Sequence, residues 1–197
     1  MEQIEFLRLT LAALERLDIP YALVGFYGSS VFGVPRFTRD IDILVELPES
    51  KISTFCAVFP PPEFYLSEDA VRDAVRRRFQ FNLVHPSSAN KIDFILPRND
   101  AWGRSQLSRA KRIRIQSDLE ANIASPEDVI IGKLWYYSQG GGDRHLRDID
   151  GILRFSADKV DRDEIERWAT ELGLIQIWRQ VAAMVDSPSQ PPGPGMP

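Results

Sequence analysis

Two carboxylates on one strand, shortly after a glycine–serine pair, are the residues of this sequence best suited to chemistry. Gly28-Ser29 is followed by Asp40-Ile41-Asp42. Side chains of a strand alternate between its faces, so Asp40 and Asp42 point the same way while Ile41 points into the core. Two like charges side by side lower stability, and a divalent cation between them removes that cost. The pattern therefore predicts a metal-dependent phosphoryl-transfer site.

A third carboxylate lies in a later apolar strand, predicted over 91–96. Asp93 shares a face of that strand with Lys91, and the opposite face is apolar. A charged residue inside an apolar strand is costly unless it is paired or liganded. If this strand lies beside Asp40 and Asp42, three carboxylates converge. An ordinary ion pair between Asp93 and Lys91 is the alternative interpretation.

Phosphoryl transfer of this kind also needs donors for the phosphates. Metal ions bridge a triphosphate and activate the attacking hydroxyl, and Mg²⁺ takes hard oxygen ligands. Backbone N–H groups at a turn into a helix bind phosphate well. Gly28-Ser29 lies at the mouth of such a predicted turn and supplies these donors in this interpretation.

Hydrophobic periodicity predicts a mixed α/β first part and an all-helical second part. Ser125 and Pro126 open the second part as a helix N-cap and first position. The predicted strands cover 21–24, 41–47, 79–84, 91–96 and 113–115. The predicted helices cover 4–17, 53–59, 68–77, 126–139, 144–155, 162–172 and 174–185.

We accordingly expect an α+β fold in three segments. Residues 1–115 form the α/β core, and residues 116–186 form a helical segment that packs on the core and completes a cleft. Residues 187–197 are rich in proline and are predicted to be a disordered tail.

Composition limits the class of protein. The net charge is −4, so the chain as a whole is not a basic nucleic-acid binder. Two clusters of basic residues, over 72–78 and 104–114, are interpreted as solvated faces in preference to an anionic-substrate surface. A single cysteine, Cys56, excludes an internal disulfide and fits a reducing cytoplasm. We find no signal peptide and no apolar run of roughly 20 residues, so no membrane association is expected.

The whole pattern resembles a known superfamily. The sequence is similar to the signature of the nucleotidyltransferases with the DNA polymerase β-like fold. The matching pattern is Gly28-Ser29, ten further residues, Asp40-Ile41-Asp42 and the later Asp93. The segment 36–42 looks like the branch that includes abortive-infection and other toxin–antitoxin nucleotidyltransferases. In that branch the turn begins a little earlier. The phosphate cradle is therefore left open between Gly25-Phe26 and Gly28-Ser29.

The helical segments 126–134 and 144–149 also resemble that branch. The resemblance implies that Lys133 binds the nucleotide phosphates and that Asp148 orients Lys133 or the attacking group. It implies that Arg147 or Arg144 helps to bind the triphosphate.

The resemblance implies transfer of a nucleoside monophosphate from an NTP to a hydroxyl acceptor, with Mg²⁺ or Mn²⁺ held by Asp40, Asp42 and Asp93. The acceptor is left open among an RNA 3′ end, a protein and a small molecule. A toxin–antitoxin or phage-defence setting, with a partner protein encoded nearby, is a further expectation. The alternatives are a non-catalytic nucleotide- or partner-binding module and, more weakly, a metal-dependent phosphodiester hydrolase.

Other reactive side chains are interpreted as structural. His85 and His145 do not have the spacing of metal ligands. Cys56 is expected in the core and Asp150 on the surface. Most of the aromatic run 135–137 is expected in the core, with one ring available to stack on a nucleobase.

Overall fold

The computed structural model of the chain describes residues 1–25, 32 and 40–186. The strands are β1 Tyr21–Leu23, β2 Asp40–Val45, β3 Gln80–His85, β4 Asn90–Ile95, β5 Lys111–Gln116 and β6 Leu119–Ile123. The α-helices are α1 Gln3–Arg16, α2 Ile52–Cys56, α3 Glu68–Arg77, α4 Ala101–Arg109, α5 Pro126–Ser138, α6 Arg144–Phe155, α7 Arg162–Glu171 and α8 Ile175–Asp186. Short 3₁₀ turns occur at Glu49–Lys51, Pro86–Ser88 and Ala157–Lys159.

The strands form one mixed sheet in the order β3-β4-β2-β1-β6-β5. β2 and β4 are parallel neighbours, while β3 pairs antiparallel with β4 and the two form a hairpin. β1 joins the halves, because it pairs antiparallel with β2 and parallel with β6. Since β2 and β4 lie side by side, residues of equal parity on the two strands share one face of the sheet.

Alternation along β2 and β4 places the apolar residues on one face. Ile41, Ile43, Ile92 and Phe94 are fully buried there. They pack in a core with helices α1 and α2, which contribute side chains such as Phe6. The opposite face of β2 and β4 carries the charged residues of the same strands. This alternation is the reason that the carboxylates share a surface.

A second core lies in the helical part of the chain. α5 begins where the Ser125 hydroxyl accepts a hydrogen bond from the backbone N–H of Asp128, at 3.2 Å. Buried side chains of α5 to α8, including Ile130, Ile149 and Trp178, pack together. Ala22 of β1 belongs to this core, so the helices pack on the sheet.

The expected α+β fold, a small mixed sheet with helices and a helical C-terminal part, is confirmed. Two elements were missed, α4 and β6. β6 belongs to the sheet although it lies beyond residue 115. The division into segments at 115 and 186 stays a prediction. The predicted turn with Gly28 and Ser29, and the proline-rich tail, lie outside the described residues.

Among the described residues, none of the helices is long and apolar enough to cross a membrane.

Candidate active site

The register of β2 and β4 brings the predicted carboxylates together. Asp42 lies opposite Asp93 on the neighbouring parallel strand, and Asp40 lies opposite Lys91. Residues at matched positions of adjacent strands point to the same face of the sheet. The four charged side chains therefore form one patch, as the alternation of the two strands predicted.

Lys91 neutralises part of this patch. Its Nζ lies 2.9 Å from Asp93 Oδ2 and 3.6 Å from Asp40 Oδ1. The hydrogen bond to Asp93 raises the pKa of Lys91, so the lysine remains protonated at neutral pH. The ion pair between Asp93 and Lys91, given above as the alternative interpretation, is thus present. It occupies only one oxygen of the Asp93 carboxylate.

The other oxygen of Asp93 is the best indication of a cation-binding position. Asp93 Oδ1 is buried and has no hydrogen-bond partner in the part of the chain that the structure describes. A buried carboxylate oxygen without a partner is costly, and a hard divalent cation satisfies it. The pair Asp42 and Asp93 therefore fits such an ion. No group of three His, Cys, Asp or Glu residues within residues 1–25, 32 and 40–186 is arranged to hold a metal, and Asp40 as a third ligand stays a prediction.

Helices α5 and α6 contribute an ion pair on the opposite wall. Lys133 Nζ donates a hydrogen bond to Asp148 Oδ2 at 2.6 Å, and Lys133 is only 6% exposed. The predicted contact between these two residues is therefore present. Their ligand-binding roles stay predictions. Because the pair is largely buried, the two charges stabilise each other strongly.

Tyr136 lines the same cleft as the carboxylates, from the helical side, and its side chain is partly exposed. Burial raises its pKa, and the charges of Asp42 and Asp93 raise it further. Its ring stacks on that of His145, with centroids 6.0 Å apart and an interplanar angle of 14°. The sequence offered Tyr136 only as one of three aromatic residues in a row. The structure identifies it as the one beside the carboxylates.

These groups line one cleft of about 840 Å³. The sheet, α5 and the start of α6 form its walls. Its charged lining consists of Asp40, Asp42, Asp93, Asp128, Asp148, Arg78, Lys91, Arg98, Lys133 and Arg144, together with His145. The candidate carboxylates and the candidate phosphate-binding lysine thus face one solvent-accessible volume.

Of the two arginines considered for the triphosphate, Arg144 lines this cleft. Arg147 is exposed, and it is not among the described residues that line the cleft. The structure therefore favours Arg144, and the contribution of Arg147 stays a prediction.

The basic clusters seen in the sequence are largely neutralised by acidic neighbours. Arg112 contacts Glu15, and Arg78 is held by both carboxylate oxygens of Glu46 at 2.6 and 2.7 Å. Further pairs are Arg72–Glu68, Arg77–Asp73, Arg109–Asp128 and Arg114–Glu120. This supports the interpretation of the clusters as solvated or structural faces.

Gly25 lies directly against Asp42. It has a left-handed backbone with φ of 54°, and a Cβ at this position would overlap the Asp42 carboxylate. A backbone hydrogen bond holds Gly25 close to Asp42, because the N–H of the preceding residue, Val24, donates to the Asp42 carbonyl at 3.0 Å. Of the two phosphate cradles considered, Gly25 is therefore adjacent to the carboxylates.

We expect Gly25→Ala to displace Asp42 and to reduce Mg²⁺-dependent NTP binding at least tenfold. The added methyl must move the carboxylate, and the left-handed conformation costs an additional ~1 kcal/mol for alanine. Isothermal titration calorimetry and thermal unfolding measure the two effects. Gly173→Ala is the control, because Gly173 has φ of 73° and open space around an added Cβ. Equal NTP binding by Gly25→Ala and Gly173→Ala would contradict the position of Gly25 beside the nucleotide site.

Gly132 keeps one wall of the cleft open. It lies inside α5 and lines the cleft, and an added Cβ meets nothing within 4 Å. Glycine inside a helix costs about 1 kcal/mol relative to alanine. Among the described residues no packing contact explains that cost, which points to a need for free volume beside Lys133.

Gly132→Ala is expected to raise the melting temperature by about 2–4 °C, because it removes the glycine penalty without a clash. Gly132→Leu extends a larger side chain into the cleft and should weaken NTP binding at least tenfold. Ser138→Leu, on the exposed end of the same helix, is the control for added apolar surface. Full NTP binding by Gly132→Leu would show that no ligand approaches this part of the helix.

The comparisons with known proteins agree with the architecture. No protein-family model matches the sequence, and no curated protein matches it. The crystal structure of ANT(2″)-Ia in complex with adenylyl-2″-tobramycin is similar with a TM-score of 0.56 and 14% identity, covering 90% of this chain and 97% of that chain. An antigenic nucleotidyltransferase-like protein from Paracoccidioides brasiliensis has a TM-score of 0.52 and 18% identity, covering 91% and 90%. The chain therefore has the fold of these nucleotidyltransferase-type structures.

Proposed function

We propose that this chain is a nucleotidyltransferase that moves a nucleoside monophosphate from an NTP to a hydroxyl acceptor. One observation carries the proposal. Asp42 and Asp93 lie opposite each other on the sheet and share a cleft with the Lys133–Asp148 pair of the helical wall. The fold similarity to a structure that holds an adenylylated tobramycin supports the same reaction class.

The reaction forms a bond between the acceptor oxygen and the α-phosphorus and breaks the bond between that phosphorus and the pyrophosphate oxygen. The acceptor hydroxyl loses its proton and pyrophosphate leaves. Lys133 and Arg144 are suited to bind the negatively charged triphosphate because both are cations of the cleft lining. Asp148 holds Lys133 in position through the 2.6 Å hydrogen bond.

Asp42 and Asp93, with Asp40 as a proposed third ligand, would hold Mg²⁺ or Mn²⁺. A bound divalent ion supplies charge neutralisation for the phosphates and lowers the pKa of an attacking hydroxyl. Lys91 contacts two of these residues and can withdraw toward solvent on its long side chain when a cation binds. Gly25 and the predicted Gly28-Ser29 turn are proposed phosphate donors.

The acceptor class stays open among RNA, protein and small molecule, and the toxin–antitoxin setting with a partner protein stays a proposal from sequence resemblance. Fractions of cell extract enriched in each acceptor class, incubated with each NTP and Mg²⁺, test the reaction. We expect release of pyrophosphate together with a product heavier by one nucleotide residue. Cleavage of RNA without added NTP would instead indicate a hydrolase. NTP binding without pyrophosphate release in any fraction would indicate a non-catalytic module.

A further inference from the structure

One end of the cleft contains no residue of the machinery described above. We call it the far arm and define it by Phe79, Gln80, Arg98, Gln106 and Trp135, all of which line the cleft. Gln80 lies opposite Ile95 on β4, two residues beyond Asp93. A strand rises about 3.4 Å per residue, so the far arm begins roughly 7 Å from the carboxylates.

The far arm is continuous. The N–H of Leu96 donates to the Phe79 carbonyl at 2.8 Å, which joins Phe79 to the chain segment that leads to Arg98. Gly103 of α4 packs on the Arg98 backbone so closely that a Cβ there would overlap it. Gln106 lies one helical turn beyond Gly103, so α4 forms the adjoining wall.

Gln106 is a largely buried residue whose amide is not bonded to any residue in the described part of the chain. It is 4% exposed, it lines the cleft, and its side chain makes no hydrogen bond within that part. Its neighbour on the same helix face, Trp102, differs, because the indole N–H donates to Asp128 at 2.7 Å. The amide is not one of the fully buried, unpaired polar atoms of the described residues, so it is open to the cleft, where a ligand edge with one donor and one acceptor can bind it.

Flat surfaces flank this amide. The Arg98 guanidinium lies 3.6 Å from the centroid of the Trp135 ring, and its Nε donates to Asp100 at 2.6 Å, so it is held as a planar layer. Phe79 also lines the cleft and is 65% exposed. Arginine planes and aromatic rings are the surfaces on which nucleobases stack.

The charges of the far arm exclude a polycationic ligand. Its cation is Arg98, and Arg78, the neighbour of Phe79 in the chain, also lines the cleft. Of the nearby acids, Asp100 is already paired with Arg98, and the Asp128 carboxylate has no exposed surface and is held by Arg109. A ligand with several ammonium groups, such as tobramycin, would find no available carboxylate here.

We infer that the far arm is a subsite for a planar ring with an amide-like hydrogen-bonding edge, as in a nucleobase. The ring stacks between Phe79 and Arg98, and the Gln106 amide forms hydrogen bonds with the polar edge of the ring. It belongs either to the NTP or to the acceptor. The inference rests on the proposed function for one point only, namely that the molecule carrying this ring binds in the same cleft as the carboxylates.

Saturation-transfer NMR with free adenosine and uridine, without metal or triphosphate, tests the subsite. At least one nucleoside should bind with stronger saturation of its ring protons than of its ribose protons. Phe79→Ala and Gln106→Leu should each weaken that binding about tenfold. Tyr65→Ala and Gln116→Leu are matched controls, because Tyr65 is 67% exposed and neither residue lines the cleft.

Three results would each overturn the inference. The first is that no nucleoside binds, and the second is that Phe79→Ala and Gln106→Leu bind the nucleoside as the wild type does. The third is that tobramycin displaces the nucleoside. Displacement by α,β-methylene-ATP with Mg²⁺ would assign the ring to the NTP, and simultaneous binding would assign it to the acceptor. Both results support the subsite. Nucleoside binding in a chain that transfers no nucleotide would count against the proposed function alone.

Discussion

Asp42→Asn is expected to reduce nucleotide transfer at least about a thousandfold while leaving the fold intact. The substitution removes a carboxylate from the pair with Asp93, and charge stabilisation at such a site contributes several kcal/mol to the transition state. Stability should stay equal or rise slightly, because like charges on opposed strand positions repel. Pyrophosphate release and thermal unfolding measure the two properties.

Asp150→Asn is the matched control for this substitution. Asp150 lies on α6 and forms a surface ion pair with Arg154 at 2.7 Å. Loss of this carboxylate should change stability by no more than about 0.5 kcal/mol and transfer not at all. Unfolding of Asp42→Asn would show instead that Asp42 is structural, and unchanged transfer would remove it from the site.

Lys133→Met is expected to lower both stability and NTP affinity. Removal of one partner from a largely buried pair deprives Asp148 of this ion pair, which costs about 3–5 kcal/mol. For a chain of this size the melting temperature should fall by roughly 10 °C. NTP binding, measured by calorimetry below the unfolding transition, should weaken at least tenfold because a phosphate-binding cation is lost.

The double variant Lys133→Met/Asp148→Asn separates these effects. With both charges removed, most of the stability should return, since no uncompensated charge remains in the cleft wall. NTP affinity should stay low, because the cation is still absent. A double variant that binds NTP as the wild type does would show that Lys133 serves only the ion pair.

The carboxylate strands could be predicted because their signal is local. Alternation alone places Asp40 and Asp42 on one face, and it places Asp93 with Lys91. That β2 and β4 are neighbours does not follow from alternation, and this prediction rested on the resemblance to nucleotidyltransferases. The structure supplies the register that sets Asp42 opposite Asp93.

The missed elements have weak or ambiguous sequence signals. α4, with the sequence Ala-Trp-Gly-Arg-Ser-Gln-Leu-Ser-Arg, has few apolar residues and an internal glycine. β6 alternates over only five residues, Leu119–Ile123, and its pairing with β1 is a contact between distant segments. His85 lies just beyond the predicted strand 79–84, but it ends β3 and is buried against Phe6 and Phe64.

The walls of the cleft depend on how the helices pack, which no local pattern records. Tyr136 and Trp135 follow each other in the sequence, yet one lies beside the carboxylates and the other under Arg98. Gln106 stands in a helix that was not predicted. Only the packing of α4 and α5 on the sheet brings these residues to the same volume as Asp93.

Calorimetric titration of each of the four NTPs, with and without Mg²⁺, tests the central claim most directly. The wild type and the Asp40→Asn/Asp42→Asn variant are compared. We predict that at least one NTP binds the wild type only with Mg²⁺ and that the variant loses this binding. Binding that is independent of Mg²⁺ or unaffected in the variant would contradict a carboxylate-held metal–nucleotide site, and absence of NTP binding by the wild type would contradict nucleotide transfer itself.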